Sequence, residues 1–119
     1  MDIRRYGCIN EPGRPRMSLG LAHGSWVTVC AVAPSRAPDV AHQTREVLEL
    51  LETYLTEMGS SKAQLLTATV WLKDMADYAA MNAEWNAWVD EDNPPVRSCV
   101  RADMARPEML VEIRLTAAR

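Results

Sequence analysis

The sequence contains no phenylalanine, only two histidines and only three cysteines among 119 residues. Cys8, Cys30 and Cys99 are widely spaced and form no C-x-x-C motif, so neither a structural zinc site nor a thioredoxin-type redox site is indicated. His23 and His42 have no metal-ligand spacing to each other or to a cysteine. We therefore predict no metal and no other cofactor, and a reduced, cytoplasmic setting fits the cysteine content best.

Long apolar runs are also missing. No stretch approaches the roughly 18 apolar residues of a membrane-spanning helix, and residues 1–6 lack the apolar core of a secretory signal. The composition, 48% hydrophobic and 24% charged, predicts one globular domain over residues 1–119. A chain of this size buries only about two-thirds of its unfolded surface by itself. An enclosed site would therefore be easier to build between subunits than inside one.

The charge is unevenly distributed around a net value of −3. Residues 39–92 contain eleven acidic side chains and three basic ones, whereas arginines are concentrated at the two ends of the chain. This pattern predicts a positive region suited to an anion. Basic ends without interleaved aromatic residues give little support for nucleic-acid binding, and we do not expect it. The arginines concerned are Arg4, Arg5, Arg14, Arg16, Arg97, Arg101, Arg106, Arg114 and Arg119.

Hydrophobic periodicity predicts two helices and six strands. The first helix, residues 39–58, begins at Asp39, is followed by Gly59 as its C′ residue and carries one apolar stripe; Asp77 is expected to cap the second. The expected fold is α+β, a two-layer sandwich with a six-stranded mixed sheet and two helices on one face. The remaining ranges are 78–90 for the second helix and 2–7, 17–22, 25–33, 65–73, 96–103 and 109–117 for the strands.

Alternation along the last two strands sorts their side chains into two faces. If the apolar set packs under the helices, the open face displays Arg97, Cys99, Arg101, Glu112 and Arg114. A guanidinium on that face could bind a carboxylate, and a carboxylate could orient a water molecule. Periodicity alone favours the simpler interpretation, a polar sheet face at a wet interface without chemistry. A nucleophilic role for Cys99 is not favoured, because no histidine is placed to serve as its base.

Several segments nevertheless match a known pattern. Pro95-Val96-Arg97-Ser98-Cys99-Val100, followed by Leu110-Val111-Glu112-Ile113, resembles the signature of the RidA (YjgF) family. The similarity extends upstream to residues 39–45, 69–74 and 78–85 and covers nearly the whole chain.

This resemblance implies a chorismate-mutase-like fold and a homotrimer with three clefts between subunits. It also implies hydrolysis of reactive 2-enamines and 2-imines to 2-keto acids and ammonia. By motif position, Arg97 would bind the substrate carboxylate and Glu112 would position the attacking water. Cys99 would line the cleft and could offer its backbone amide, and Asn82 would lie near the cleft.

Two positions depart from the deaminase pattern of that family. Arg16 stands where active members usually carry a tyrosine, and Ala31-Val32 replaces a usual Gly-Gln pair. Both positions border the cleft in similar proteins, so Arg16 would add positive charge there and Ala31 would change the backbone donors that hold substrate. The alternatives are a non-catalytic trimer that binds small 2-keto or 2-imino acids, and RNA cleavage, against which the acidic helices and the absence of a histidine pair argue.

Overall fold

Within residues 2–119, six strands form a single sheet in the order β1-β2-β3-β6-β4-β5, and two α-helices accompany it. The computed structural model describes residues 2–119. Only the pairing of β4 with β5 is parallel, so the sheet is mixed and the predicted α+β class is confirmed. The elements are β1 (Ile3–Tyr6), β2 (Gly20–His23), β3 (Trp26–Val32), α1 (Val40–Glu57), β4 (Leu65–Leu72), α2 (Tyr78–Trp88), β5 (Val96–Arg101) and β6 (Val111–Ala118).

The first helix has the start that the sequence predicts. The Asp39 side chain accepts a hydrogen bond of 2.7 Å from the backbone N–H of His42, which satisfies one of the unpaired donors of the first turn. Gly59 follows the helix with a φ of +80°, a conformation that a side chain would strain. The predicted apolar stripe is buried throughout and consists of Val40, Thr44, Val47, Leu48, Leu51, Leu55 and Met58.

The second helix begins differently from the prediction. Asp77 makes no capping hydrogen bond with its side chain. Asp74 instead accepts a bond of 2.9 Å from the N–H of Ala76 and starts a single 3-10 turn that leads into α2. Met81 and Trp85 are the buried residues of α2, and both belong to the core.

The β2–β3 hairpin is closed by Gly24 and Ser25, because His23 pairs with Trp26. Gly24 has a φ of +60°, the left-handed conformation that two-residue hairpins require. The strand before this turn is shorter than predicted. It begins at Gly20, and Met17 is paired only through an isolated bridge to Ile9.

The core lies between the helices and one face of the sheet. Side chains alternate along the central strands, so that Val29, Ile113 and Leu115 are buried on the helix side. The other face, called the open face below, carries no helix. Its paired rows include Val32, Glu112, Trp71 and Val100 in one row and Cys30, Arg114, Thr69 and Ser98 in the next.

A buried glutamine joins three segments beside this sheet. Gln43 Nε2 donates to the carbonyl oxygens of Ala37 at 2.7 Å and Glu108 at 2.9 Å, and Gln43 Oε1 accepts from Leu110 N–H at 3.0 Å. This amide therefore fixes the loop that enters β6 two residues before Glu112. No helix within residues 2–119 is long and apolar enough to cross a membrane.

Candidate functional site

Arg97 lies on the helix side of the sheet. It pairs with Ala68 in the parallel β4–β5 ladder, and Ala68 is buried against the core. Residues directly opposite in a ladder share a face of the sheet. The Arg97 side chain accordingly contacts α2, with Nη1 at 3.7 Å from Met81 Sδ and Nη2 at 3.3 Å from the Tyr78 hydroxyl.

The prediction that Arg97, Cys99 and Arg101 lie on the open face is therefore wrong. All three share the helix side with Ala68, Val70 and Leu72, their partners on β4. The open face of β5 instead displays Val96, 76% exposed, and Val100. The predicted alternation of β5 is present. The assumption that its apolar side chains face the helices fails at this edge strand, where α2 side chains contact the Arg97 guanidinium instead.

The guanidinium of Arg97 is held between aromatic rings. Its Cζ lies 5.5 Å from the ring centroid of Trp85 and 5.9 Å from that of Tyr78, both within cation–π range. Within residues 2–119, no carboxylate lies within 4.0 Å of the Arg97 guanidinium. Most of its N–H donors therefore remain available to an external anion.

Two other predicted site residues accompany Arg97 on the helix side. Cys99 is half-buried, and burial raises the pKa of its thiol while the Arg97 charge opposes that change. A neutral thiol is a weak nucleophile, so the geometry favours Cys99 as a lining residue. Asn82 follows Met81 on α2, and its Oδ1 is buried without a hydrogen-bond partner among residues 2–119. That oxygen is an acceptor that a ligand N–H would satisfy.

Glu112 lies on the open face, as predicted, next to a residue that the sequence did not single out. Cys30 Sγ donates a hydrogen bond of 3.4 Å to Glu112 Oε2. Burial raises the pKa of the Cys30 thiol to about 11, and the Glu112 charge adds to this effect. The thiol therefore stays protonated near neutral pH and remains a donor to the carboxylate.

A depression of about 220 Å³ opens beside Glu112. It is large enough for a small organic acid, and an indole, a thioether and two carboxylates surround it. The lining residues are Trp71, Ala102, Asp103, Met104 and Glu112. Cys30 and Trp71 were missed because their proximity to Glu112 depends on strand register between distant segments.

The structure does not bring the remaining two predicted residues to Arg97. Arg16 is exposed in the loop between β1 and β2, where it lines a separate surface depression with Glu11 and Arg14. That loop belongs to the opposite end of the sheet from β5. Ala31 is only 6% exposed, and its side chain packs in the core on the helix side of β3. No group of three His, Cys, Asp or Glu side chains within residues 2–119 is placed to hold a metal ion.

Comparison with known proteins identifies the family. A family model described as Endoribonuclease L-PSP matches residues 17–119. The chain belongs to the YjgF/RidA family. The RutC family protein YoaB of Escherichia coli is 36% identical over 103 residues, which cover 87% of this chain and 90% of that protein.

Two further similarities bear on structure and activity. A crystal structure of a YjgF-family member from Neisseria meningitidis superposes with a TM-score of 0.90 at 40% identity, covering 100% of this chain and 96% of that one. The 3-aminoacrylate deaminase RutC of Acinetobacter baylyi is 35% identical over 79 residues, or 66% of this chain and 62% of that protein. The YjgF/RidA family thus includes a deaminase, and the predicted fold is that of its members.

Proposed function

We propose that this YjgF/RidA protein is a cytoplasmic hydrolytic deaminase of small 2-enamines and 2-imines, acting in clefts between the subunits of a homotrimer. The observation that carries the proposal is the presence of two half-buried groups of complementary chemistry. The Arg97 guanidinium has no carboxylate partner within residues 2–119, and the Glu112 carboxylate accepts a hydrogen bond from Cys30 beside a small depression. Their chemistry suits an anionic substrate that reacts with water. The deaminase named among the relatives supports the reaction class.

The positions of these two residues favour a cleft between subunits. Arg97 is on the helix side of the edge strand β5, whereas Glu112 is on the open face of the central strand β6. The sheet itself separates them within one chain, and a small substrate cannot reach both through it. A second copy that brings its β5 edge against the open face would place its own Arg97 beside this chain's Glu112.

The open face is suited to such contact because it exposes large apolar side chains. Trp26, Val96 and Val100 are each at least 45% exposed in the single chain. Exposed apolar patches of this kind are typical of protein interfaces. We infer three copies from the family resemblance, with Val96 and Val100 at the boundary between neighbouring subunits.

The reaction needs little beyond positioning and charge. Arg97 would bind the substrate carboxylate and hold C2 of the imine, which is already electrophilic, near Glu112. Glu112 would accept a hydrogen bond from a water molecule and take its proton as the oxygen adds to C2. Return of that proton to nitrogen gives a carbinolamine. Glu112 would then take the hydroxyl proton and pass it to the amino group, so that the C–N bond breaks as the C=O bond forms, releasing ammonia and the 2-keto acid.

Three other groups would assist these steps. The Cys30 thiol donates to Glu112 Oε2, which leaves Oε1 free to face the water. The unpartnered Oδ1 of Asn82 could accept a hydrogen bond from the substrate nitrogen. The backbone N–H of Cys99 could stabilise charge that develops on the substrate nitrogen or oxygen.

The test is release of ammonia and 2-keto acid from imines generated in the assay by an amino-acid oxidase. We expect the wild-type protein to accelerate release, and Arg97→Ala and Glu112→Gln each to lower kcat/KM about 100-fold or more. Arg45→Ala, which removes an arginine paired with Glu84 on the outer helices, serves as the matched control and should keep full activity. Equal turnover by wild type and Arg97→Ala would overturn the site. Binding of 2-ketobutyrate without turnover of any imine would instead indicate a binder or sensor.

A further inference from the structure

Tyr78 stands at the start of α2 with its hydroxyl beside the Arg97 guanidinium. The Tyr78 oxygen accepts a hydrogen bond from Arg97 Nη2 at 3.3 Å, and the ring lies 5.9 Å from Arg97 Cζ. The side chain of Tyr78 is 40% exposed, so this contact is reachable from solvent. The phenol proton itself has no acceptor among residues 2–119, because this is the hydroxyl's one hydrogen bond in that part of the chain.

We propose that Tyr78 is a second carboxylate-binding residue, whose O–H donates to one substrate oxygen while Arg97 donates to the other. This inference rests on the proposed function, in which Arg97 receives the substrate carboxylate. The two groups are already joined by a hydrogen bond, and that bond leaves the phenol proton free to point outward. A carboxylate has two acceptor oxygens and can accept from both donors at once.

Support of the arginine alone would not require the hydroxyl. Trp85 lies against the same guanidinium at 5.5 Å, and Met81 Sδ accepts from Nη1 at 3.7 Å. Both contacts, and the ring of Tyr78, remain when only the oxygen is removed. Loss of the hydroxyl should therefore weaken ligand binding while the position of Arg97 and the stability of the fold are retained.

This arrangement also determines which ligands bind. Arg97 presents only N–H donors, and Tyr78, whose oxygen already accepts from Arg97, adds its O–H donor, whereas an acid anion offers only acceptors. A carboxamide of the same shape would direct its own N–H₂ donor against one of them. The pair should consequently favour a free 2-keto or 2-imino acid and reject the corresponding amide.

The experiment measures binding and turnover separately for wild type, Tyr78→Phe and Arg97→Ala. The calorimetric probes are 2-ketobutyrate and 2-ketobutyramide, and thermal melting verifies folding of each variant. Tyr54→Phe is the matched control. Tyr54 is a largely buried tyrosine of α1 whose ring centroid lies 5.5 Å from that of Tyr6, and Tyr6 belongs to β1, at the opposite edge of the sheet from β5. We expect Tyr78→Phe to weaken 2-ketobutyrate binding about tenfold, raise KM by a similar factor and leave kcat within about twofold.

Each outcome separates this inference from the proposed function. Unchanged 2-ketobutyrate affinity in Tyr78→Phe, with affinity lost in Arg97→Ala, overturns the role of Tyr78 and leaves the deaminase proposal standing. Equal weakening of acid and amide also overturns it. If Tyr78→Phe binds 2-ketobutyrate more weakly than the wild type, but the wild type turns over no imine, the result supports the role of Tyr78 and contradicts the deaminase proposal. A wild-type protein that neither binds 2-ketobutyrate nor turns over any imine overturns both.

Discussion

Arg97 and Glu112 lie on opposite faces of the same sheet, with strand β4 between their strands. The Arg97 side chain contacts the α2 residues Tyr78, Met81 and Trp85. Glu112 instead accepts a hydrogen bond from Cys30 on the open face. No rotamer of either side chain passes through a paired sheet. If both residues act on one substrate, the active unit contains at least two chains.

The exposed valines of β5 should be needed for assembly. We expect Val96→Asp, which places a charge on a side chain 76% exposed on the open face, to convert the proposed trimer to smaller species. Burying an unpaired charge in an interface is strongly unfavourable. Size-exclusion chromatography with light scattering measures the mass, and circular dichroism verifies the fold. Thr53→Asp, on the exposed side of α1, is the control and should leave the mass unchanged. A trimeric Val96→Asp protein would contradict this placement of the interface.

The Cys30 thiol should be slow to react with thiol reagents. Its pKa is raised to about 11, so the reactive thiolate is scarce at pH 8 and becomes abundant only above about pH 10. Titration with a chromogenic disulfide should modify the exposed Cys8 first, and the Cys30→Ser variant identifies which phase belongs to Cys30. The hydroxyl of Cys30→Ser can still donate to Glu112 and should preserve most activity, whereas Cys30→Val should not. Equal rates for Cys8 and Cys30 at pH 8 would contradict the account.

Gln43 should stabilise the fold through its three hydrogen bonds. Gln43→Leu leaves the carbonyls of Ala37 and Glu108 and the N–H of Leu110 without their side-chain partners. Buried unsatisfied polar groups are costly, and we expect a loss of about 2 to 4 kcal/mol in the free energy of unfolding by urea. Gln64→Leu, at an exposed position, should change it by less than about 0.5 kcal/mol. Similar losses for the two variants would show that the Gln43 bonds are not stabilising.

The ionised carboxylate of Glu46 should contribute stability that disappears in acid. Its Oε1 accepts from the backbone N–H of Ser35 at 2.7 Å, and this bond, with a smaller contribution from the adjacent His42, lowers the pKa of Glu46 below 4.5. A carboxyl whose pKa is lowered on folding stabilises the protein above its unfolded pKa and loses that effect as the pH falls through its folded pKa. The cost of Glu46→Ala, about 1 to 2 kcal/mol at pH 7, should therefore shrink toward pH 3.

Urea unfolding at several pH values measures this dependence. Glu49→Ala, an exposed position on the same helix, is the matched control and should show little cost at any pH. A Glu46→Ala cost that stays constant from pH 7 to pH 3 would mean that the ionised form is not the stabilising one.

Local periodicity predicted the central architecture because burial controls it. The α1 stripe and the alternation of β6 are both enforced by a shared core, and a displaced register would expose Ile113 or Leu115. At β5 this control is weak, since an edge strand has one neighbour and α2 covers little of it. Which face receives Arg97 depends on its pairing with Ala68, a parallel contact that the alternation within residues 96–101 does not encode.

The environment of Glu112 was predictable only in part. Its place on the open face follows from the apolar neighbours Val111 and Ile113, which must be buried. The bond to Cys30 joins residues separated by 82 positions and depends on the β3–β6 register. The family resemblance predicts that Arg97 and Glu112 act together, but only the sheet shows the face on which each residue lies.

Mixing subunits that carry different substitutions tests the shared cleft most directly. Arg97→Ala and Glu112→Gln proteins are each expected to be nearly inactive, and they would be unfolded together, refolded and assayed for imine hydrolysis. If each cleft takes Arg97 from one subunit and Glu112 from its neighbour, random assembly restores about a quarter of the clefts. We predict recovery of about a quarter of wild-type activity, with no recovery when either variant is refolded alone. A mixture that stays as inactive as the separate variants would contradict the shared site.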